Sequence, residues 1–301
     1  MASVMNTRCG YVALLGVPNA GKSTLVNALV GTKVSIVSRK VQTTRFVIRG
    51  VMSQDQTQII FVDTPGIFEP KRRLDRAMVK SAWGGAKDAD YAALLIDVQR
   101  GFDAENKTIA EQLKKKEFPS LLILTKIDTI PRDQLLALAE EGQKLLEPQA
   151  VFMVSATKND GLKDFLQFIA KRMPEGPWLY PDDQPSDLPM RMLAAEITRE
   201  KLFDRLHDEL PYSLTVATEA WEQRKDGSVK IDQTIFVERD GQKKIVLGKG
   251  GAMIKAVGAA SRIEISKLIE AKVHLFLHVK TRENWADDPS HYRDLGLEFP
   301  S

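Results

Sequence analysis

The stretch GVPNAGKST, Gly16 to Thr24, has the residue types and spacing to hold phosphate. Glycines at 16 and 21 let successive backbone N–H groups turn inward onto an anion. Lys22 would reach the β- and γ-phosphates, and the Ser23 hydroxyl would ligate Mg²⁺. Pro18, Asn19, Ala20 and Thr24 complete the phosphate-holding set. The apolar run YVALL precedes the loop and STLVNALV follows it, so the loop joins a strand to a helix and gains that helix's N-terminal field. A glycine turn of purely structural use is the competing reading, and the strand–loop–helix context weighs against it.

Three shorter motifs follow at the ends of apolar strands. In DTPG, Asp63 would hold the metal through water, and the Gly66 N–H could sense a γ-phosphate. In LTKID, Asp128 can accept from both N1–H and N2–H₂ of guanine, next to Lys126 and Thr125. Adenine offers neither donor there and would leave the carboxylate unpaired. In VSAT, Ser155, Ala156 and Thr157 would bring a backbone N–H to the guanine oxygen. Each motif alone is weak. In this order, all at strand C-terminal ends, they describe one crevice for a guanine nucleotide.

A second glycine-rich stretch, KKIVLGKGGAMIKAVG, fits neither nucleotide-loop pattern. No hydroxyl follows its lysines in the required register, and Met253 stands where a dinucleotide loop needs its third glycine. Its setting is basic. Arg239, Lys243, Lys244, Lys249, Lys255, Arg262, Lys267 and Lys272 are opposed only by Asp240, Glu264 and Glu270. Gly248, Lys249, Gly250 and Gly251 form a G-x-x-G, a spacing that lets a nucleic-acid backbone approach closely while Lys249 and Lys255 supply charge. A basic helix-capping turn is the alternative.

These loops need elements to position them. The chain of 301 residues, 43% hydrophobic and 28% charged, has room for two domains, and its net charge of +3 scarcely favours any partner by itself. Single Cys9 cannot form an intrachain disulfide, which suits a reducing cytoplasm. No apolar run approaches the ~18 residues of a membrane span, and the N-terminal stretch lacks a signal-peptide pattern. Up to about Met173, continuous apolar strands alternate with amphipathic helices, the pattern of a mostly parallel sheet covered on both faces. A hairpin from Arg45–Ser53 and Thr57–Val62 adds an antiparallel edge strand. Residues 1–175 are therefore expected as an α/β nucleotide-binding domain. Residues 176–190, part of a segment holding five prolines between 174 and 190, are expected as a linker. Residues 191–301 are expected as a small α+β domain. Its helix spans about Met190–Glu209, two strands follow, helices lie near Ala252–Val257 and Arg262–Ala271, and VHLFLHVK closes it.

The ordered motifs resemble the P-loop GTPase family, and with RKVQTTRF they resemble its TrmE/Era branch. The resemblance implies that Thr44 closes onto Mg²⁺ with Ser23 and Asp63, and that Lys22, Thr44 and Gly66 carry the chemistry of GTP hydrolysis to GDP and phosphate. Two positions depart from common patterns. Thr125 replaces the usual asparagine of the guanine motif, so its hydroxyl must bond the phosphate loop, with weaker binding expected rather than altered specificity. Ile67 stands where many small GTPases carry a water-orienting glutamine, which fits this branch and implies a slow intrinsic rate. Asn19 matches an asparagine that in related enzymes helps hold K⁺; a plain loop-capping role is the alternative.

The G-x-x-G unit resembles the KH domain. Together the resemblances imply a monomeric bacterial GTPase that binds single-stranded small-subunit ribosomal RNA during 30S maturation, cytoplasmic or peripheral on the inner membrane. A GTPase switch acting on a protein or membrane partner is the second reading, and a plain RNA-binding protein with a vestigial nucleotide site the third. His274 and His278 are read as the polar side of a strand, Lys114–Lys116 as a solvated helix end, and ENWADDPSHYRDLGLEFP as carrying no chemistry.

Overall fold

The computed structural model describes residues 7–300. They part into two compact units, one of residues up to Ser35 with Val41–Asp187 and the tail from Leu295, the other of Ile36–Lys40 and Leu188–Asp294.

The first unit contains β1 (Arg8–Leu15), α1 (Lys22–Val30), β2 (Ile48–Gln54), β3 (Thr57–Asp63), α2 (Arg73–Lys87), β4 (Tyr91–Asp97), α3 (Ala104–Lys115), β5 (Ser120–Thr125), α4 (Arg132–Leu146), β6 (Val151–Val154) and α5 (Leu162–Ala170). Its sheet runs β2-β3-β1-β4-β5-β6, parallel except for the edge strand β2. The apolar runs of β3 and β5 are buried at every residue, as strands covered on both faces must be. Strand order reverses beside β1, which opens a crevice at the carboxyl ends of the strands. Asp103 caps α3 by accepting from the Asn106 N–H at 2.9 Å.

The proline-rich segment does not run free. Up to Asp187 it belongs to the first unit, a correction to the expected linker boundary. Buried Gln58 accepts from the N–H groups of Leu179 and Tyr180 at 2.9 and 3.0 Å and donates to the Tyr180 carbonyl at 2.8 Å. Arg49 pairs with Asp187 at 2.8 Å. Proline lacks an N–H, which bars it from a central strand but not from lying along a sheet edge. A second correction concerns the tail: residues from Leu295 onward count with the first unit and not with the small domain. Leu297 is buried, Lys80 pairs with Glu298, and Arg73 lies over the Phe299 ring.

The second unit holds α6 (Met190–Arg205), β7 (Leu214–Gln223), β8 (Val229–Val237), α7 (Asp240–Leu247), α8 (Ala252–Leu268), β9 (Val273–Thr281) and α9 (Pro289–Asp294). β7 and β8 form an antiparallel pair, and β9 joins β8 in parallel, so the return from β8 to β9 must cross over through α7 and α8. Leu202, Leu214, Ile235, Val246, Val257 and Val279 form one of its cores. The two helices expected on either side of Gly258 are one helix, α8. Gly258 lies inside it, facing Leu277 on β9 at a spacing that a Cβ would fill as an ordinary contact. α7 is the helical segment that the apolar run IVL announces ahead of the G-x-x-G.

Candidate functional site

The nucleotide motifs converge at the carboxyl edge of the first sheet. β1 delivers the loop, whose Gly16 and Gly21 have φ of 146° and 96°. Lys22, the first residue of α1, is buried and curls back to donate to the carbonyls of Gly16 and Val17 at 3.0 and 2.9 Å. Burial pushes its pKa down to about 8 against the opposing pull of Asp63. Asn19 is exposed at φ 64°, while Ala20 is buried. Thr24 is half-buried on α1.

Asp63 closes β3 and gathers a cluster of hydroxyls. Ser23 Oγ donates to its Oδ2 at 2.7 Å, Ser35 Oγ does so at 2.7 Å, and Thr44 Oγ1 lies 2.9 Å from Ser23 Oγ. Burial raises the Asp63 pKa, while the bonds from Ser23 and Ser35 and the Lys22 charge lower it. Among the described residues Asp63 Oδ1 is a buried oxygen with no hydrogen-bond partner. Ser23, Thr44 and Asp63, expected together from the resemblance, are together here. Ser35 was not foreseen. It sits in no motif, and only the fold shows it, with Asn27 accepting from the Val34 and Ser35 N–H groups at 2.9 and 3.0 Å.

Gly66 packs on the loop, where a Cβ would come within 2.7 Å of Pro18. Ile67, buried, donates its N–H to the Gly16 carbonyl at 3.0 Å. The Thr125 hydroxyl lies 2.8 Å from the Ala20 carbonyl and 3.2 Å from that of Ile96, so it ties the phosphate loop to β4 and β5. Lys126 (φ 59°) forms a 2.5 Å ion pair with Asp97, another contact no motif signalled. Exposed Asp128 has its pKa lowered chiefly by a hydrogen bond from the Ser155 side chain, which brings the third and fourth motifs together. Ser155 Oγ lies 3.3 Å from Thr157 Oγ1, and Ala156 is half-buried between them.

In the second unit the G-x-x-G joins α7 to α8. Gly248, Gly250 and Gly251 have φ of 74°, 58° and 77°, a region open to glycine at little cost. A Cβ at Gly248 would meet Met253 at 2.7 Å, whereas Gly250 and Gly251 face open space. Lys249 and Lys255 are exposed, as is Lys244 on α7, while Arg262, Lys267 and Lys272 are exposed farther along α8 and past its end. The loop therefore offers bare backbone rimmed by cations at the start of a helix. His278 is exposed on β9 and His274 half-buried, with exposed Phe276 between them, and the described residues contain no cluster of metal-ligating side chains.

A family model described as "50S ribosome-binding GTPase" matches residues 11–126, and one described as "KH domain" matches residues 209–286. GTPase Era of Sinorhizobium medicae is 60% identical over 299 residues, covering 99% of this chain and 96% of its own. GTPase Era of Mesorhizobium japonicum is 60% identical over 294 residues, covering 98% and 95%. Among solved structures, Era in complex with MgGDPNP and nucleotides 1506–1542 of 16S ribosomal RNA superposes with a TM-score of 0.91 at 37% identity, over 96% of this chain and 99% of that one. An Aquifex aeolicus Era variant bound to GDP and AlF₄⁻ matches with the same TM-score, identity and coverage. With identity of this extent over nearly its whole length, and a GTPase unit followed by a KH unit, the chain belongs to the Era family of GTPases.

Proposed function

We propose that this GTPase binds single-stranded small-subunit ribosomal RNA at its G-x-x-G loop and acts in 30S subunit maturation, with GTP hydrolysis switching the RNA-binding state. The observation that carries the reading is the loop itself, bare positive-φ backbone over open space inside a rim of exposed lysines. The relative crystallised with a 16S ribosomal RNA segment supports the choice of partner.

In the nucleotide site, Gly16–Thr24 would wrap the phosphates, and Lys22 would exchange its two carbonyl partners for β- and γ-oxygens. The Gly66 N–H would meet the γ-phosphate. Asp128 would pair with the guanine edge while Lys126, Ser155, Ala156 and Thr157 flank the base. Ser23, Thr44 and Asp63 present hard oxygens, and the unpartnered buried Asp63 Oδ1 fits a nearby cation that takes oxygen ligands. Mg²⁺ bound there supplies neutralisation of the charge that develops on the β- and γ-oxygens. Ile67 cannot position water, so intrinsic turnover is slow. Asn19 is the candidate for a K⁺ requirement, read out as faster hydrolysis in potassium than in sodium. No described helix is long and apolar enough to cross a membrane, and the proposal places the chain in the cytoplasm as a monomer.

A paired variant tests the reading. Replacing Lys249 and Gly250 with Asp puts two negative charges where phosphates must approach. Affinity for RNA should fall by about two orders of magnitude or more, with a shallower salt slope, in anisotropy titrations. Phosphate release without RNA should be unchanged. RNA binding that persists with the same salt slope would move the partner to another surface, or favour a protein or membrane partner.

A further inference from the structure

Lys126 follows Thr125, the last residue of β5, in the left-handed region at φ 59° and ψ 36°. A residue other than glycine keeps that conformation only where its surroundings fix it. Here they do. The Lys126 carbonyl accepts from the Thr129 N–H at 2.9 Å and from the Thr129 hydroxyl at 2.7 Å, which closes the turn over Ile127–Thr129. The side chain then leans to the β4 side, where its ammonium pairs with Asp97 Oδ2 at 2.5 Å.

Asp97 is placed to hold that pair. It ends β4, its side chain is 8% exposed, and Oδ1 accepts from the Gln99 N–H at 3.0 Å, so both carboxylate oxygens are committed. The turn after it is fixed as well, since the Asp97 carbonyl accepts from the N–H groups of Arg100 and Gly101 at 2.9 and 3.0 Å. The fold does not depend on the ion pair. At this end β4 and β5 are already joined by the Val98 N–H on the Thr125 carbonyl at 3.2 Å, and by the Thr125 hydroxyl on the Ile96 carbonyl. The lysine side chain is 39% exposed, and pairs with one partner in solvent add little to stability.

Sheet order supplies the direction. β5 lies between β4 and β6, with about 4.8 Å between neighbouring strands. Lys126 reaches toward β4, while Asp128 accepts a hydrogen bond from Ser155, which follows β6. The two side chains are thus drawn apart, toward strands roughly 10 Å from each other, and leave the end of β5 between them. We propose that Asp97 is a positioning residue for guanine: it holds the Lys126 ammonium aside, so that the methylene stem stands as a wall of the base slot. This rests on the reading of Asp128 as the guanine acceptor. A lysine stem left free has many rotamers, and a nucleotide would have to order it on binding, at a loss on the order of tenfold in affinity. With Asp97 in place, the folded site has ordered it already. The wall serves the base, so the effect falls on GDP and GTP alike.

The test uses the full chain and competition against a fluorescent GDP. In Asp97→Asn, which keeps the shape of the side chain, affinity for GDP and for GDPNP should each fall about tenfold. KM for GTP should rise by the same factor while kcat changes less than about twofold. Inorganic tripolyphosphate, which has no base, should compete as it does with wild type. The thermal midpoint should move by no more than about 3 °C. Asp97→Ser, smaller than the native residue, carries the same test if the amide does not fold. Lys126→Met keeps a flexible stem with no ammonium to anchor, so the double variant should bind GDP no more weakly than Lys126→Met alone. Unchanged GDP affinity in Asp97→Asn overturns the proposal, and so do additive losses in the double variant. Equal weakening of tripolyphosphate overturns it too, since Asp97 would then be a support of the phosphate loop. Asp128→Asn separates the proposal from the reading beneath it. If that variant also binds GTP as wild type does, the base lies elsewhere and both fall. If Asp128→Asn weakens GTP and Asp97→Asn does not, the slot stands and the role of Asp97 alone falls.

Discussion

Lys22 shows how one side chain can be stored for a ligand. Burial lowers its pKa to about 8, because the loop offers it two carbonyls in place of water and the Asp63 charge only partly offsets that loss. Bound triphosphate would raise that pKa again, so the complex keeps a proton that the free protein releases above about pH 8. Triphosphate affinity should be fully present below that pH and fall by up to about tenfold per unit above it. Stability of the unliganded protein has the opposite sign. An unfolded lysine holds its proton to about 10.4, so between about 8 and there this residue makes unfolding harder as pH rises. Calorimetric titration of GDPNP at pH 8.5 in two buffers of different ionisation heat checks the first half. Uptake of no proton would mean Lys22 is already charged in the free site. Asp128 invites a different exchange. Asp128→Asn turns one acceptor into a donor facing the guanine donors. GTP binding should weaken by at least about tenfold while xanthosine triphosphate binding improves, as measured by competition with a fluorescent nucleotide.

At the level of elements, spacing between neighbouring side chains decides what can change. Gly142 lies on the buried side of α4, and a Cβ there would stand 2.2 Å from a Leu122 methyl carbon and 2.7 Å from the Phe102 ring. Alanine normally helps a helix interior by about 1 kcal/mol relative to glycine. Here overpacking of ~1–3 kcal/mol should outweigh that gain, so Gly142→Ala should lower the urea midpoint of the first unit. The same dependence on distant neighbours explains what could be read from the residues alone. Continuous apolar runs announced the parallel strands, since a strand buried on both faces has no polar side to show. The phosphate and guanine motifs were legible because their chemistry is local to each strand end. Gly258 misled in the other direction: it looks like a helix break, yet α8 runs straight through it, held by packing against β9. The proline-rich segment read as a linker because its partner, Gln58, sits over a hundred residues earlier on β3. Ser35 and Asp97 carry no motif, and their partners are chosen by the fold.

Across the molecule, chain order and compact units do not coincide. The first unit is finished by residues near the far end of the sequence, where Leu297 is buried and Glu298 pairs with Lys80 on α2. Leu297→Ala should destabilise this unit by about 2 kcal/mol and lower its thermal midpoint by about 4–8 °C in a calorimetric scan. Glu298→Gln, which removes only an exposed pair, should move the midpoint by no more than about 2 °C. Equal effects would place the tail's contribution in charge and not in burial. This interleaving sets a timetable for synthesis. An emerging chain can lay down the six-stranded sheet early, but the last pieces of that unit are still inside the ribosome until the entire second unit has been translated. The nascent second unit can collect Ile36–Lys40 at once, because that segment has already left the exit tunnel. A ribosome making this protein would therefore carry a GTPase unit still short of Leu295 and the residues after it while the second unit is being translated.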